Sequence, residues 1–229
     1  MEVIDPVPLE LDAADLAGKM KPPKLSEEIF TLFERTRPLL EPKAVFTMTH
    51  VTGFEDDLVH LENGHSLRGI ILGDMLESGQ TVIPYVVTIG PKLESEISRE
   101  KNLLHSFLLD KIGNYALHKA CVYLKSHAVE RLGSKGPVSE FSPGTGTGEL
   151  FGIEQQKPLF RILNSGSMSI GVQLTPTLMM MPRKSESGVL AATREEYVAC
   201  AHCPRQCESR STPFVGKYQR NKHVTLSSA

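Results

Sequence analysis

A segment of about thirty residues with helical periodicity is the feature that most constrains how this chain can fold. Between Lys101 and Gly133, apolar and small side chains recur every three or four positions, as on one face of an amphipathic helix. These positions are Leu104, Phe107, Leu108, Ile112, Tyr115, Ala116, Ala120, Leu124 and Ala128. The pattern predicts one long helix that buries this face, and the small side chains of Ala116 and Ala120 would let it lie close to a sheet.

Short β-prone segments lie on both sides of this helix. We predict strands over residues 44–51, 58–61, 67–72, 81–89, 170–175 and 188–192, and further helices over residues 26–40 and 153–163. Helices and strands follow one another without the regular alternation of βαβ units. The sequence therefore predicts an α+β fold.

Composition excludes several classes of protein. The chain has 229 residues, 40% hydrophobic and 23% charged, which excludes a largely disordered or collagen-like protein. With 25 basic and 27 acidic residues, the charge balance indicates neither a nucleic-acid partner nor a membrane surface. The longest apolar run, Val82–Ile89, is far shorter than the roughly 20 residues that cross a bilayer. The acidic N-terminus has no signal-like apolar region after it, and we expect a cytoplasmic protein.

The charges are unevenly distributed along the chain. An acidic arm covers residues 1–24 and ends in Lys21-Pro22-Pro23-Lys24, and a basic, cysteine-bearing extension covers residues 193–229. Between them we predict a single domain over residues 25–192. The two ends are either solvated tails or, in the case of the basic extension, a segment that approaches an acidic partner protein or an anionic cofactor.

Three alternating glycines occur in the run SPGTGTG over residues 142–148, which we expect to follow no strand and to lie between two helices. Backbone amides in such a loop can approach a ligand because no Cβ is in the way. The run lacks the context of a dinucleotide-binding fingerprint and the ending of a phosphate-binding P-loop. It is either an ordinary glycine-rich loop or a ligand loop formed by Pro143, Gly144, Thr145 and Gly146.

A second segment changes from apolar to basic and hydroxylic within a few residues. It consists of Met179, Met180, Met181, Pro182, Arg183, Lys184, Ser185, Glu186, Ser187 and Gly188. Clustered methionines are most often core residues. The abrupt change, however, suits an edge that faces an amphiphilic cofactor.

Three of the four cysteines form a C-x2-C-x3-C pattern at Cys200, Cys203 and Cys207. Thiolates with this spacing can converge on one metal, and both zinc and an iron–sulfur cluster fit. In a reducing compartment such a cluster is more often a metal site than a disulfide framework. Candidates for a fourth ligand are a partner, a small molecule, His202, His223 and Cys121, of which the last fits better as a packing residue of the long helix.

Several short motifs follow one another in order between about residues 40 and 192. They are Thr88-Ile89-Gly90, Leu93-Glu94, Leu109-Asp110-x-x-Gly113, Ser142-Pro143-Gly144-x-Gly146, Ile170-Gly171-Val172-x-Leu174-Thr175 and Met181-Pro182-x-Lys184-Ser185-x-Ser187-Gly188. In this order they resemble the activation domain of cobalamin-dependent methionine synthase, and more closely the small stand-alone proteins of that family.

The resemblance implies an α+β fold with a twisted antiparallel sheet and packed helices, and a role in reactivation. In that family the domain docks over a corrinoid whose cobalt has been oxidised to cob(II)alamin and presents AdoMet. An external electron then reduces the cobalt, and methyl transfer traps the product. Since this chain has no D-x-H-x-x-G corrinoid-binding motif, the implied partners are a separate corrinoid-binding protein or methyltransferase and an electron donor.

Some cofactor contacts of the family are replaced in this chain. Glu140 and Thr145 occupy the positions of the arginine and tyrosine in the family's R-x-x-x-G-Y loop, and Leu178 replaces a further tyrosine. A glutamate cannot pair with the carboxylate of AdoMet. The resemblance assigns the remaining cofactor contacts to Pro143, Gly144, Thr145, Gly146, Met181, Lys184, Ser185, Ser187 and Gly188.

These features lead to three hypotheses. In the first, the chain is an accessory protein for the reactivation or maintenance of a corrinoid protein, and an iron–sulfur cluster at the three cysteines relays an electron. In the second, it is a non-catalytic docking module for a corrinoid protein with a structural zinc site. In the third, it is an AdoMet-binding reactivation protein with altered contacts.

Overall fold

The computed structural model describes residues 1–19, 26–146, 148–164, 166–207 and 210–220. The strands are β1 (Glu2–Ile4), β2 (Lys43–Phe46), β3 (Thr49–Glu55), β4 (Leu58–Leu61), β5 (Ser66–Arg68), β6 (Thr81–Thr88), β7 (Val138–Phe141), β8 (Gln173–Leu174), β9 (Met180–Met181) and β10 (Ser185–Ala192). The helices are α1 (Ala13–Lys19), α2 (Ser26–Thr36), α3 (Ile70–Met75), α4 (Lys92–Arg99), α5 (Leu103–Leu132), α6 (Gln156–Ile162), α7 (Gly166–Ser169) and α8 (Ala199–His202), with 3-10 turns at Arg37–Leu39 and Ile153–Gln155.

The chain forms two compact units that alternate along the sequence. Unit 1 consists of Met1–Phe46, Tyr85–His127 and Leu163–Glu186, and unit 2 consists of Thr47–Pro84, Ala128–Ile162 and Ser187–Ala229. The chain passes from one unit to the other after Phe46 and after Ile162, and also within β6, within α5 and within β10. The division of the chain into residues 1–24, 25–192 and 193–229 stays a prediction, because these units are defined by contacts and not by contiguous sequence.

Unit 1 is built around the long helix α5. In the strand part of this unit, β1 pairs antiparallel with β2, and β2 pairs antiparallel with the second half of β6. The helices α1, α2, α4 and α5 bury one continuous apolar core, which contains Ala13, Leu16, Ile29, Leu32, Phe33, Ile89, Leu93, Leu108, Leu109, Ile112, Tyr115 and Ala116. The predicted long helix is therefore confirmed, although Leu104 and Phe107 of its predicted apolar face are partly exposed.

The described part of the acidic arm belongs to the packed structure of unit 1. The Tyr115 hydroxyl of α5 donates a hydrogen bond to Asp15 Oδ2 at 2.8 Å, and Leu16 beside it is buried. Hydrogen bonds from Lys19 and then Tyr115 lower the pKa of Asp15 below its usual value. This part of the arm is thus not a solvated tail, and the Lys21–Lys24 break lies outside the described residues.

Unit 2 contains four further strand pairs. The first half of β6 pairs with β3, β3 pairs with β4, and β4 pairs with β5, all antiparallel. Strand β7 pairs antiparallel with β10, so that Phe141 lies opposite Val189. Helix α6 follows the 3-10 turn where we predicted a helix over residues 153–163.

Three predicted strands differ from the structure. The strand predicted over residues 44–51 is broken at Thr47 and Met48, which separate β2 from β3. The strand predicted over residues 67–72 ends at Arg68. The apolar run after Gly69 instead forms helix α3, which buries Ile71 and Leu72. The strand predicted over residues 170–175 is reduced to β8, since Gly171 has a φ of 78° that is incompatible with a strand.

The core of unit 1 allows a direct test of the role of α5. The Leu108→Ala variant should lower the free energy of unfolding by about 2–5 kcal/mol, because Leu108 is fully buried and its truncation leaves a cavity. The matched control Leu103→Ala, on the same helix but 87% exposed, should change it by less than about 0.5 kcal/mol. Urea denaturation measures both, and equal effects would show that α5 does not support the core.

Candidate functional site

Most motifs of the resemblance that fall in unit 1 meet at the end of β6. The backbone N–H of Ile89 donates to the carbonyl of Lys184 at 3.1 Å. The Ser185 hydroxyl donates to Thr88 Oγ1 at 2.9 Å, and Thr88 Oγ1 accepts a further bond from the Gly90 N–H at 3.1 Å. Segments about 95 residues apart in sequence are therefore held together by backbone and hydroxyl hydrogen bonds.

Lys184 ties this segment to α5. Its ammonium donates to Asp110 Oδ1 at 2.5 Å and to Asn114 Oδ1 at 2.6 Å. Asp110 and Asn114 are four residues apart and therefore lie on the same face of the helix. The lysine stem passes so close to Gly113 that a Cβ there would lie 3.3 Å from Lys184 Cε and 3.0 Å from a methyl group of Leu93. A side chain at this position would therefore displace the lysine stem or the Leu93 methyl group by a few tenths of an ångström.

A second ion pair lies beside this contact. Glu94, in the first turn of α4, accepts a hydrogen bond from the Arg183 backbone N–H at 2.9 Å and one from Arg183 Nε at 2.5 Å. The Glu94 side chain is only 16% exposed, whereas Arg183 is more than half exposed. The carboxylate thus fixes both the backbone and the side chain of the residue that precedes Lys184.

A groove of about 460 Å³ lies next to these ion pairs in unit 1. Its lining includes Pro91 and Glu94 at the start of α4, Gly171, and Met181 with Pro182. The short hairpin formed by β8 and β9 exposes Met179 and Met181, which are 49% and 43% accessible. The groove thus combines thioether and proline surface with one carboxylate, which suits the docking of a partly apolar partner.

The predicted contact residues of the Met-Pro-Arg-Lys segment are placed in different ways. Met181 lines the groove, and Lys184 is engaged by Asp110 and Asn114. Ser185 is buried under its hydrogen bonds, and Ser187 and Gly188 are buried residues of β10 in unit 2. Of this set, Met181 therefore offers the exposed surface, and cofactor contacts by all five residues stay a prediction.

The glycine-rich run lies in unit 2 and directly follows strand β7, contrary to our expectation that no strand precedes it. Gly144 and Gly146 have φ values of 80° and 77°, which side-chain-bearing residues rarely adopt. A Cβ on Gly144 would also come within 2.8 Å of the Ile153 side chain. In this loop Pro143 is buried, while Gly144 and Thr145 are exposed, and their role as ligand contacts stays a prediction.

The three clustered cysteines lie around α8 in unit 2. Cys200 and Cys203 are half-buried, Cys207 is exposed, and all three are free thiols. One guanidinium, that of Arg210, donates to the carbonyls of Cys200 and Cys203, each at 2.6 Å. Hydrogen bonds from the Ser211 hydroxyl and N–H, together with the charge of Arg210, lower the pKa of Cys200 below its usual value.

The arrangement of these thiols does not fit a preformed metal site. Among the described residues, no group of three His, Cys, Asp or Glu side chains is placed to hold a metal ion. His223, a candidate fourth ligand, lies outside the described residues. Cys121 is half-buried on α5 in unit 1, where its thiol contacts Glu186 Oε2 at 3.5 Å. A metal centre at Cys200, Cys203 and Cys207 therefore stays a prediction.

Sequence reasoning missed the aromatic cluster of the C-terminal extension, which is well packed in unit 2. The N–H of Tyr197 donates to Ser139 Oγ at 2.8 Å, and its ring stacks on Phe141. His202 and Tyr218 complete the cluster. The sequence carried little signal for it, because residues 194–229 contain three of the fourteen Phe and Tyr residues, which is close to the average of the whole chain.

Burial keeps the phenols of this cluster protonated. It raises the pKa of Tyr197 to about 12, and the nearby Cys203 and Cys200 add to the effect. Burial, followed by the charge of Asp74, raises the pKa of Tyr218 to about 12. Both tyrosines are therefore neutral hydroxyl groups over the physiological pH range.

The described helices include none that is long and apolar enough to cross a membrane.

Comparisons with known proteins relate this chain to one fold. No protein-family model matches the sequence, and no curated protein matches it. Among solved structures, the crystal structure of the MetH reactivation domain bound to AdoHcy is similar, with a TM-score of 0.61 at 10% sequence identity. The similarity covers 86% of this chain and 80% of that one. The chain therefore has the α+β fold of the MetH reactivation domain, with a curled antiparallel sheet and packed helices, as the sequence motifs predicted.

Proposed function

We propose that this chain is an accessory protein that docks on a corrinoid protein of a methyltransferase system and supports its reductive reactivation. The convergence of four separate motifs around Lys184 carries the proposal. These four belong to the series of motifs that resembles the activation domain of cobalamin-dependent methionine synthase. The similarity in fold to the MetH reactivation domain supports the same conclusion.

The groove of unit 1 is the proposed docking surface. The bonds of Lys184 to Asp110 and Asn114, and of Arg183 to Glu94, hold the Met181–Pro182 segment in a defined position. Such a fixed surface lowers the entropy that is lost on docking. Exposed methionines adapt to irregular apolar partners, and a corrinoid with its surrounding protein is such a partner. The chain supplies docking and position, and an external one-electron donor supplies the electron for cob(II)alamin.

Binding of AdoMet to this chain is a finer part of the proposal. The MetH reactivation domain was solved with AdoHcy, which differs from AdoMet by one methyl group on sulfur. The glycine loop of this chain keeps the backbone that could approach such a ligand, since Gly144 and Gly146 have positive φ values. Glu140 stands where the family has its carboxylate-binding arginine, so any AdoMet contacts must differ from those of the family.

A metal centre at the three cysteines is a separate hypothesis, supported first by their spacing in the sequence. It takes the form of an iron–sulfur electron relay or, in the docking-module alternative, of a structural zinc site. The lowered pKa of Cys200 favours a thiolate, which is the form that binds metals. Because the described thiols do not form a preformed site, no step of the proposed function is assigned to a metal.

The docking proposal predicts that the groove is needed to capture a corrinoid protein. Tagged chain, incubated with an anaerobic lysate of the native organism, should retain a protein whose eluate contains cobalt and shows corrinoid absorbance. The Met181→Glu variant should retain about tenfold less cobalt, because a carboxylate would be desolvated at the centre of the interface. Met168→Glu is the matched control, since Met168 is 64% exposed in unit 1 and lies outside the groove lining.

Two results would contradict the docking proposal. One is an eluate of the unchanged protein that contains no cobalt. The other is equal cobalt retention by the two variants, which would show that the groove is not the docking surface. Unfolding midpoints near that of the unchanged protein would establish that both variants are folded, as expected for exposed positions.

The metal hypothesis makes a distinct prediction. Anaerobic reconstitution with iron and sulfide should give a protein with bound iron and an EPR signal after reduction. The triple variant Cys200→Ser, Cys203→Ser, Cys207→Ser should lose both, whereas Cys121→Ser should keep them because Cys121 lies in unit 1. Protein that holds only zinc would favour the structural-site alternative, and protein that holds no metal would exclude both forms.

A further inference from the structure

Two cysteines in unit 2 that have no role in the proposed docking function lie one helical turn apart. Cys200 belongs to α8, and Cys203 is the residue that caps the end of this helix. Since the two residues between them are helical, the Cα atoms of Cys200 and Cys203 are about 5 Å apart. Disulfides join cysteines whose Cα atoms are about 4.4–6.8 Å apart. The backbone spacing of this pair therefore permits a disulfide.

One guanidinium holds the two cysteines at this spacing. Arg210 donates through Nη1 to the carbonyl of Cys200 and through Nη2 to that of Cys203, each at 2.6 Å. Charge-assisted bonds from one planar group fix the two carbonyl oxygens relative to each other. The backbone of the pair is thus preorganised, which lowers the entropy that is lost when a bond forms between the two sulfurs.

The two sulfurs lie near the same phenol. Burial is the main reason why the pKa of Tyr197 is raised to about 12, and the next contributions come from Cys203 and Cys200. Both sulfurs are therefore close enough to one hydroxyl to act on it. Cys200 and Cys203 are free thiols and are half-buried, which leaves part of each residue open to a small reactant from solvent.

Cys200 has the environment of an attacking sulfur. The hydroxyl and the N–H of Ser211 both donate hydrogen bonds to its sulfur, and the positive charge of Arg210 lies nearby. Hydrogen bonds and positive charge stabilise a thiolate, which is the form of cysteine that attacks a disulfide. Cys203, one helical turn away, is placed to attack in turn any sulfur that becomes bound to Cys200.

The fold brings together what a two-thiol reaction needs. Among the residues that the structure describes, no group of three possible metal ligands is placed around one point. Thiol–disulfide exchange requires two thiols and a disulfide. Cys200 and Cys203 therefore need no further residue of this chain to take part in such an exchange.

We propose that Cys200 and Cys203 form a redox-active thiol pair that exchanges with low-molecular-weight disulfides. The Cys200 thiolate attacks one sulfur of the disulfide RSSR, and the leaving RS⁻ takes up the proton that Cys200 has lost. Cys203 then attacks Cys200 Sγ, which closes the bond between the two cysteines and releases the second RSH with the proton of Cys203. The protein thiols lose two electrons in total, and RSSR is reduced to two RSH.

Digestion with trypsin shows which thiols react. Cleavage after Arg194, Arg205 and Arg210 places Cys200 and Cys203 in one peptide, residues 195–205, and Cys207 in another, residues 206–210. The full chain is purified anaerobically, its metal content is measured, and it is equilibrated with reduced and oxidised glutathione, each at millimolar concentration. After alkylation and digestion, most of peptide 195–205 should be unalkylated and lighter by two hydrogen atoms. Cys207 should be recovered as the alkylated thiol or as its glutathione adduct.

Three results would overturn the proposal. The first is a peptide 195–205 that stays alkylated on both cysteines. The second is a disulfide that links peptide 195–205 to peptide 206–210, because Cys207 would then be one of the partners. The third is bound metal that keeps all three thiols from reacting, which would favour the metal hypothesis instead. The inference goes beyond the docking function and does not rest on it, so none of these results would affect cobalt capture.

Single substitutions separate the two steps of the exchange. Cys203→Ser should stop at the mixed disulfide, so that peptide 195–205 carries one glutathione in place of the internal disulfide. Cys207→Ser is the matched control and should form the internal disulfide to the same extent as the unchanged protein. Loss of that disulfide in Cys207→Ser would show that the proposed pair is wrong. Thermal midpoints establish whether both variants are folded.

Arg210→Lys tests whether the fold prepares the pair. Lysine keeps the positive charge but lacks the planar fork that reaches both carbonyls. The equilibrium constant for the internal disulfide in glutathione buffer should fall about tenfold, because the two cysteines are held less firmly. Arg205→Lys, at an exposed position of the same segment, is the matched control and should leave the constant unchanged. Equal constants for the two variants would show that Arg210 does not prepare the pair, and preorganisation by the fold would be excluded.

Discussion

The burial of one ammonium group organises the surface on which the proposed docking depends. Lys184 is only 15% exposed, and a charge in that position needs compensation from nearby polar groups. Asp110 and Asn114 provide it from consecutive turns of α5, at 2.5 and 2.6 Å. A helix and the segment that immediately precedes β10, 70 or more residues apart in sequence, are thereby fixed to each other. Removal of either partner would leave a charge in a largely buried position, so the position of the Met181 groove depends on this contact.

The C-terminal extension depends on a comparable polar contact, in this case around a buried hydroxyl. Ser139 is fully buried on β7, accepts the Tyr197 N–H at 2.8 Å, and lies 2.6 Å from the Thr193 hydroxyl. These bonds attach the start of the extension to the strand that precedes the glycine-rich loop. The loop and the extension are close, since a Cβ added at Gly146 would lie 3.6 Å from the Ala199 carbonyl oxygen. The segment whose composition suggested a charged tail is thus packed against strand β7.

Local sequence patterns predicted the elements whose stability depends mainly on residues close to one another in the sequence. The periodicity of residues 101–133 predicted α5 to within two residues at each end, because an apolar face of that length is stable only as a buried helix. Short apolar runs were less informative, as α3 shows, since the sequence around Ile71 fits a buried strand or a buried helix equally well. The broken strand at Thr47 was also missed, because strand ends depend on which partner supplies the hydrogen bonds.

The sequence by itself determined the α+β class, the long helix, and the set of motifs that resemble a corrinoid reactivation domain. Which motifs meet was decided only by the tertiary structure, because the contacts of Lys184 and of Ser185 join residues that no local pattern relates. The same holds for the stack of Phe141, Tyr197 and His202, which requires the extension to fold back on β7. For the cysteines the spacing in sequence indicated a shared metal, whereas the described fold keeps the thiols from forming a preformed site, because ligand geometry depends on the backbone between them.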